Sequence, residues 1–218
     1  MLNEERSIAA TLHSIREGAP EAEVIVVDGN SMDRSRALAE PLCDVLVTGK
    51  RGRARQLNEG ASRARGEVLA FVHADTLVPA SFASDIASAL ADPSVVGGRF
   101  DVVLDDSAFI FRLIGLLISL RSRLSRTGTG DQAMFVRRKA FSELGGFPDI
   151  ELCEDLEFAR RLKRVGGVAC LRARVTTSAR RWRVEGIFRT VFRMWVIRLL
   201  YLIGVSPRRL KTFYVDSR

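Results

Sequence analysis

Three groups of residues in this chain are of types that do chemistry when brought together. Asp28 and the triplet His73-Ala74-Asp75 each close a short apolar run, Glu23-Val24-Ile25-Val26-Val27 and Val68-Leu69-Ala70-Phe71-Val72. A carboxylate so placed can hold a divalent cation through hard oxygen or accept a hydrogen bond from a ligand N–H. It can also simply close a turn, which Asn30-Ser31 after Asp28 and Thr76 and Pro79 after Asp75 invite. The second group is basic, Lys50-Arg51-Gly52-Arg53-Ala54-Arg55. Its arginines, with a helix N-terminus near Gly52, could neutralise phosphate, or they form a solvated basic helix face. The third is the pair Glu154-Asp155, with Gly128-Thr129-Gly130-Asp131-Gln132 upstream. A carboxylate that takes a proton from an attacking hydroxyl is what group transfer requires, whereas two acids opening a helix also complement its dipole.

The elements that must position these groups are legible from hydrophobic periodicity. Asn3 followed by Glu4 and Glu5 reads as a cap with acids in the first turn, and Ile8, Leu12 and Ile15 continue at helical spacing to Gly18. The runs ending at Val27, Val47 and Val72 read as strands buried on both faces, with a helical stretch from Ala54 to Ala64 between the last two. Strands alternating with helices predict a mostly parallel sheet flanked by helices, with ligand sites at the C-terminal strand ends, where Asp28 and Asp75 fall. Further on, a strand is expected over Gly97 to Val103, an apolar helix over Phe109 to Leu120, a strand over Ala133 to Val136 and a helix opening at Glu154. With no linker composition, residues 1–218 read as one domain: 1–100 a ligand-binding half, 101–183 a second half, 184–218 a C-terminal helical segment.

Hydrophobic residues make up 47% and charged residues 28% of 218, a globular composition large enough for its own core. The formal net charge of +8 favours anionic partners without choosing among nucleotides, acidic lipid and nucleic acid. Cys43, Cys153 and Cys170 form neither a disulfide framework nor a metal knuckle, which implies a reducing, cytoplasmic setting. Residues 108–120 and 187–205 are apolar but carry arginines and fall short of the ~20 uninterrupted apolar residues of a membrane span, so lying on a bilayer fits better than crossing it. Phe188, Val191, Phe192, Trp195, Leu199 and Leu202 recur at helical spacing, either as a packing stripe or as an interfacial face.

The motifs Asn3-Glu4-Glu5, Asp28-Gly29-Asn30-Ser31-Met32-Asp33, His73-Ala74-Asp75, Gly145-Gly146-Phe147 and Glu154-Asp155 occur in the order and rough spacing of family-two glycosyltransferases, and the chain resembles that family over nearly its whole length. Arg51-Gly52-Arg53-Ala54-Arg55-Gln56, Thr129-Gly130-Asp131-Gln132 and Ser178-Ala179-Arg180-Arg181-Trp182 resemble a bacterial subgroup associated with arsenosugar biosynthesis. The resemblance implies a GT-A-type, Rossmann-like fold. It also implies metal-dependent inverting transfer from a nucleoside-diphosphate sugar to a lipid-like or small-molecule acceptor, with Mg2+ or Mn2+ as cofactor. On this reading Asp75 is the metal ligand. His73, which replaces the usual first Asp of the triplet, meets the donor ribose or orients Asp75. Asp28 and Asp33 match nucleobase-pocket positions, with turn closure and helix capping as their alternatives. Arg53 and Arg181 face the diphosphate; Asp131, Gln132, Glu154 and Trp182 line the acceptor side; Asp155 is the base. Ser178 replaces the Gln of the Q-x-x-R-W element in processive relatives, which argues against polymer synthesis.

Two other readings are a nucleotidyltransferase of related fold, whose glycine-rich basic signature after the first strand is missing, and a non-enzymatic binder of anionic membrane or nucleic acid. No nucleic-acid module is recognisable, so nucleic acid is not an expected partner. Peripheral contact with the inner face of the membrane is. Family members enter Asn-Glu-Glu from a buried apolar strand, so the natural protein is expected to begin upstream of Met1.

Overall fold

The computed structural model describes residues 1–211, and the part of the expected C-terminal segment from 212 to 218 lies outside the described residues. In chain order the elements are α1 (Ile8–Gly18), β1 (Ile25–Asp28), α2 (Ser35–Ala39), β2 (Val45–Thr48), α3 (Arg53–Arg63), β3 (Val68–Phe71), β4 (Thr76–Leu77), α4 (Phe82–Leu90), β5 (Val95–Leu104), α5 (Phe109–Ser125), β6 (Met134–Arg137), α6 (Arg138–Glu143), α7 (Glu154–Leu162), β7 (Gly167–Thr177), α8 (Arg180–Glu185), α9 (Ile187–Leu202) and α10 (Pro207–Lys211). The α/β architecture and the flanking helices are those expected. The sheet pairing is a correction: β1–β2 and β5–β7 are parallel, but β3–β6, β5–β6 and β4–β7 are antiparallel, giving a mixed sheet. The long strand β7, not among the expected strands, brings the second half back beside β5 and supplies the antiparallel edge on which β4 pairs.

Strands order as β3-β6-β5-β7-β4 in one sheet and β1-β2 in another. The edges of β1 and β3 face a cavity of about 370 Å3 lined by Val26, Val68, Ala70 and Leu12 among others. At its upper end the Met1 amine donates to Val27 O (2.6 Å) and Gly29 N donates to Met1 O (2.9 Å), the bonding pattern of a parallel bridge opposite Asp28. Gln56 Nε2 donates to the same Met1 carbonyl (2.8 Å) and to Val27 O (3.1 Å).

Apolar burial covers both faces of the larger sheet. On one face Leu69, Met134 and Val136 pack under Phe141, Phe147, Phe158 and Leu162; on the other Phe100, Phe135 and Val175 pack under Phe82 and Ile86. The turn Gly145-Gly146 has φ of +72° and +74°, a left-handed pair that glycine adopts without strain. Asn58 on α3 holds the next residue at both backbone groups, donating to Phe147 O (2.8 Å) and accepting from Phe147 N (2.9 Å). The turn thereby seats Phe147 against Phe158, ring centroids 4.5 Å apart, and fixes the approach to α7.

The N-terminal motif is also corrected. The helix starts at Ile8 rather than at Asn3, which has φ 52°. Residues 3–5 instead clasp the loop after β1: Met32 N donates to Asn3 Oδ1 (2.9 Å), Glu4 N to Ser35 Oγ (2.7 Å) and Glu5 N to Asp33 Oδ2 (3.1 Å).

Candidate active site

A cavity of about 290 Å3 opens where the C-terminal end of β3, the first turn of α3, the Gly130 turn, the N-terminus of α7 and the start of α8 converge. The placement of Asp75 follows from short β4: Thr76 pairs with Thr177, their hydroxyls 3.1 Å apart, and Ser178 N donates to Asp75 O (3.2 Å). This brings Asp75 beside Arg180, whose guanidinium holds the buried Glu4 carboxylate at 3.0 and 3.1 Å. Among the described residues no side chain donates a hydrogen bond to the Asp75 carboxylate, which is half-buried and lines the cavity. Burial, and then the Glu4 charge, raise its pKa above the ordinary carboxylate range, while Arg180 and Arg53 act against them.

Asp155, which lines the same cavity, accepts from Gly130 N (2.7 Å) and from Leu156 N (2.6 Å). Burial raises its pKa despite the Gly130 bond and the Arg53 charge, with Asp131 adding to the rise. Gly130 lies so close to His73 that any Cβ there would collide with the imidazole, which is why this turn carries glycine. Next to the pair, burial and then the charges of Asp155 and Glu154 push the Cys153 thiol up to about 12, so it stays neutral and is no nucleophile.

The structure gathers Arg53, His73, Asp75, Asp131, Glu154, Asp155, Arg181 and Trp182 around this cavity. Three residues expected at the site do not line this cavity. Asp28, 3% exposed, uses its carboxylate on Ser31, accepting from its N–H (3.2 Å) and its hydroxyl (2.6 Å), the turn-closing alternative. Asp33 accepts from Ser35 N (2.9 Å) and Glu5 N, a capping arrangement. Gln132 is fully buried, donating to Phe100 O (3.2 Å) and accepting from Ser122 Oγ (2.8 Å), so it braces the turn from below. Arg55, two residues from Arg53 and hence on another helix face, pairs with exposed Asp149 at 2.9 Å. Trp182 does double duty, lining the cavity while its ring packs with Phe111 and Ile114.

Sequence reasoning missed Glu4 as the partner of Arg180, Gln56 as the residue pinning Met1, and two cavity arginines, Arg121 and Arg198. Both arginines sit in apolar helical runs, where they read as interruptions. The α9 stripe also resolves: Phe188, Phe192, Trp195, Leu199 and Leu202 are exposed, so among the described residues only the inner row with Val191 and Met194 packs.

The acid Asp75 between β3 and β4, beside arginines and lining one cavity with the acids that open α7, in an α/β fold with a curled mixed sheet, defines a domain of the GT-A glycosyltransferase class. The chain belongs to glycosyl transferase family 2: the family profile "Glycosyl transferase family 2" matches residues 1–145. Among solved structures it is similar to S. aureus TarS 1-349 (18% identity, TM-score 0.65, 98% of this chain and 67% of that one). It is similar also to the mannosyltransferase PcManGT from Pyrobaculum calidifontis in complex with GDP-Man and Mn2+ (24% identity, TM-score 0.68, 98% of this chain and 65% of that one). A third is S. aureus TarS 1-349 in complex with UDP-GlcNAc (18% identity, TM-score 0.66, 98% and 68%). The chain thus spans about two thirds of the length of these proteins, and at such identities the likeness is one of fold. Comparison with curated proteins found no match.

Proposed function

We propose that this chain transfers a sugar, with inversion, from a nucleoside-diphosphate sugar to a hydroxyl of a lipid-like or small-molecule acceptor. The observation that carries this reading is one cavity lined by the acids Asp75 and Asp155 together with Arg53 and Arg181, in a chain of family 2; burial raises the pKa of both acids. The complexes of PcManGT with GDP-Man and Mn2+ and of TarS with UDP-GlcNAc support a nucleotide-sugar donor. Among the described residues no cluster of three or more His, Cys, Asp or Glu could hold a metal by itself. One unengaged carboxylate still suits Mg2+ or Mn2+, which take one or two protein carboxylates and fill the remaining positions with phosphate oxygens and water. Asp75 would be that ligand, and the bound ion would offset the charge that grows on the departing diphosphate.

The chain's own residues supply the remainder. Arg53 and Arg181 bind the diphosphate, and His73 bears on the donor or on the Asp75 loop. Asp155 takes the acceptor proton as the acceptor oxygen bonds to the anomeric carbon and the bond from that carbon to the diphosphate breaks, releasing nucleoside diphosphate. Its raised affinity for a proton suits a base that must hold one after attack. The reading is tested by thermal unfolding with UDP- and GDP-sugars, each with and without Mn2+ or Mg2+. A donor at 100 times its Kd adds about 2.7 kcal/mol to stability. If no donor raises Tm in the presence of metal, the reading is wrong.

We further propose that the enzyme works lying on an anionic bilayer. No helix among the described residues is long and apolar enough to cross a membrane. Yet α5 exposes Phe109 (77%), Leu116, Leu117, Leu120 and Leu124, and α9 exposes Phe188 (86%), Phe192 and Trp195, with exposed Arg112 and Arg189 among them. The inner rows of both helices share one core cluster, so the outer rows belong to neighbouring elements. Exposed aromatic and aliphatic rows edged with arginine suit the headgroup boundary, and the +8 net charge adds attraction. The protein should float with phosphatidylglycerol vesicles at low salt; recovery of all of it at the bottom of the gradient would refute this placement.

A further inference from the structure

Two arginines of the cavity have no part in the reaction as described. Arg121, near the C-terminal end of α5, and Arg198, near that of α9, line it together with Asp131 and Asp155. Their hydrogen bonds go to hydroxyls: Arg121 Nη2 donates to Ser122 Oγ (3.3 Å), and Arg198 Nη2 to Thr127 Oγ1 (3.1 Å). Arg121 Nε is buried without a partner, and so is Asp131 Oδ1. Among the described residues neither guanidinium has a carboxylate within ion-pair distance. Other arginines of the interior do: Arg99 and Arg123 hold Asp101, and Arg180 holds Glu4.

Two like charges withdrawn from water are costly unless an anion joins them. Burial lowers the proton affinity of both side chains, and at Arg121 the neighbouring Arg198 lowers it further. Their place in the cavity is defined by what they act on. Glu4, Arg180 and Arg53 act on Asp75, at the donor end, whereas Arg121 feels Asp131 and Asp155, and Arg198 feels Asp155. Arg53 acts on both Asp75 and Asp155.

We propose that Arg121 and Arg198 form an anion-binding subsite that selects acceptors carrying a phosphate group close to the attacked hydroxyl. The guanidiniums take the phosphate, with the free Arg121 Nε and its fork matching two phosphate oxygens, and the partnerless Asp131 Oδ1 accepts from a hydroxyl of the same molecule. The assignment of this end to the acceptor rests on the function proposed above; the anion subsite itself does not. A phosphate of this kind comes either from a lipid headgroup or from a soluble phosphoester. Because α5 and α9 carry the exposed apolar rows on their other sides, a headgroup would reach the arginines along the same two helices.

The test uses the full chain and titrates glycerol 1-phosphate against glycerol, by calorimetry, with the protein alone and after saturation with Mn2+ and UDP or GDP. Glycerol 1-phosphate should bind about tenfold or more tightly than glycerol in both states. Arg121→Gln and Arg198→Gln should each weaken it by about tenfold or more while leaving nucleotide affinity unchanged, and Arg198→Lys should recover part of the loss. Displacement of bound glycerol 1-phosphate by phosphatidylglycerol vesicles identifies a lipid headgroup as the source; competition by the free phosphoester alone identifies a soluble one. The proposal is overturned if wild-type protein does not distinguish glycerol 1-phosphate from glycerol, a comparison that needs no variant to fold. It is equally overturned if the Gln variants lose nucleotide in parallel, since the arginines would then serve the donor diphosphate. Absence of any nucleotide binding, with the phosphate preference intact, would remove the glycosyltransferase reading and leave the subsite.

Discussion

Asp155→Asn should lower sugar transfer by about 10²–10⁴-fold, the usual contribution of general-base catalysis, while nucleotide affinity changes little. The two quantities separate because the proposed function gives Asp155, whose oxygens accept from Gly130 N and Leu156 N, to the acceptor and Asp75 to the donor. An asparagine keeps one acceptor oxygen and turns an NH2 toward one of those two amides, so the Gly130 turn will shift locally. If donor affinity falls as far as the rate does, Asp155 is a support of the nucleotide site, and the base must be Glu154 or Asp131. The pH profile gives a second check. A carboxyl whose pKa burial has raised accepts protons only once the pH has passed that raised value, so the acid limb of kcat should lie above the ordinary carboxylate range. Arg53 opposes the rise, and Arg53→Gln should therefore move the limb to still higher pH.

Strands and helices were legible where a local pattern made them obligatory. The β-branched run at Glu23 to Val27 and the helix after Gly52 each stand within a residue or two of their expected limits. What one segment cannot encode is its partner. β7 holds one short run, Val168-Ala169-Cys170-Leu171, and then the alternating Arg172 and Arg174, and its full length as a strand comes from β5 alongside it. Residues of the site divide in the same way. Asp75 and Asp155 could be singled out because they belong to the motifs His73-Ala74-Asp75 and Glu154-Asp155 that carry the family resemblance; by position alone, turn closure and the helix dipole account for them equally well. Glu4 could not, since a glutamate after Asn3 reads as a helix opening until Arg180, 176 residues later, is seen to hold it. Asp28 and Asp33 show the converse: their side chains are consumed by Ser31 and Ser35, a local bond that an Asp-x-x-Ser or Asp-x-Ser spacing permits and that competes with any ligand.

Asp75→Asn should abolish metal-dependent turnover with Mg2+ and with Mn2+ alike, because an amide oxygen lacks the full charge that holds a hard cation against the diphosphate. The same substitution has a predictable effect on the ligand-free protein. The folded-state pKa of Asp75 lies above its unfolded value, so over that window the folded chain binds more protons than the unfolded one. Stability from this group is therefore fully present at pH below the unfolded value and is lost as the pH rises through the raised one. Above that window a neutral Asn in place of a half-buried carboxylate, which has Glu4 as its repelling neighbour, should raise Tm. A residue that merely closes a turn would give the opposite result, lower Tm with turnover intact. Three measurements on Asp75→Asn at about pH 8 thus decide the matter: an increased ligand-free Tm, loss of the extra stabilisation that Mn2+ gives to bound nucleoside diphosphate, and loss of transfer. Wild-type turnover at limiting metal would place the cation elsewhere and leave Asp75 as part of the loop joining β3 to β4.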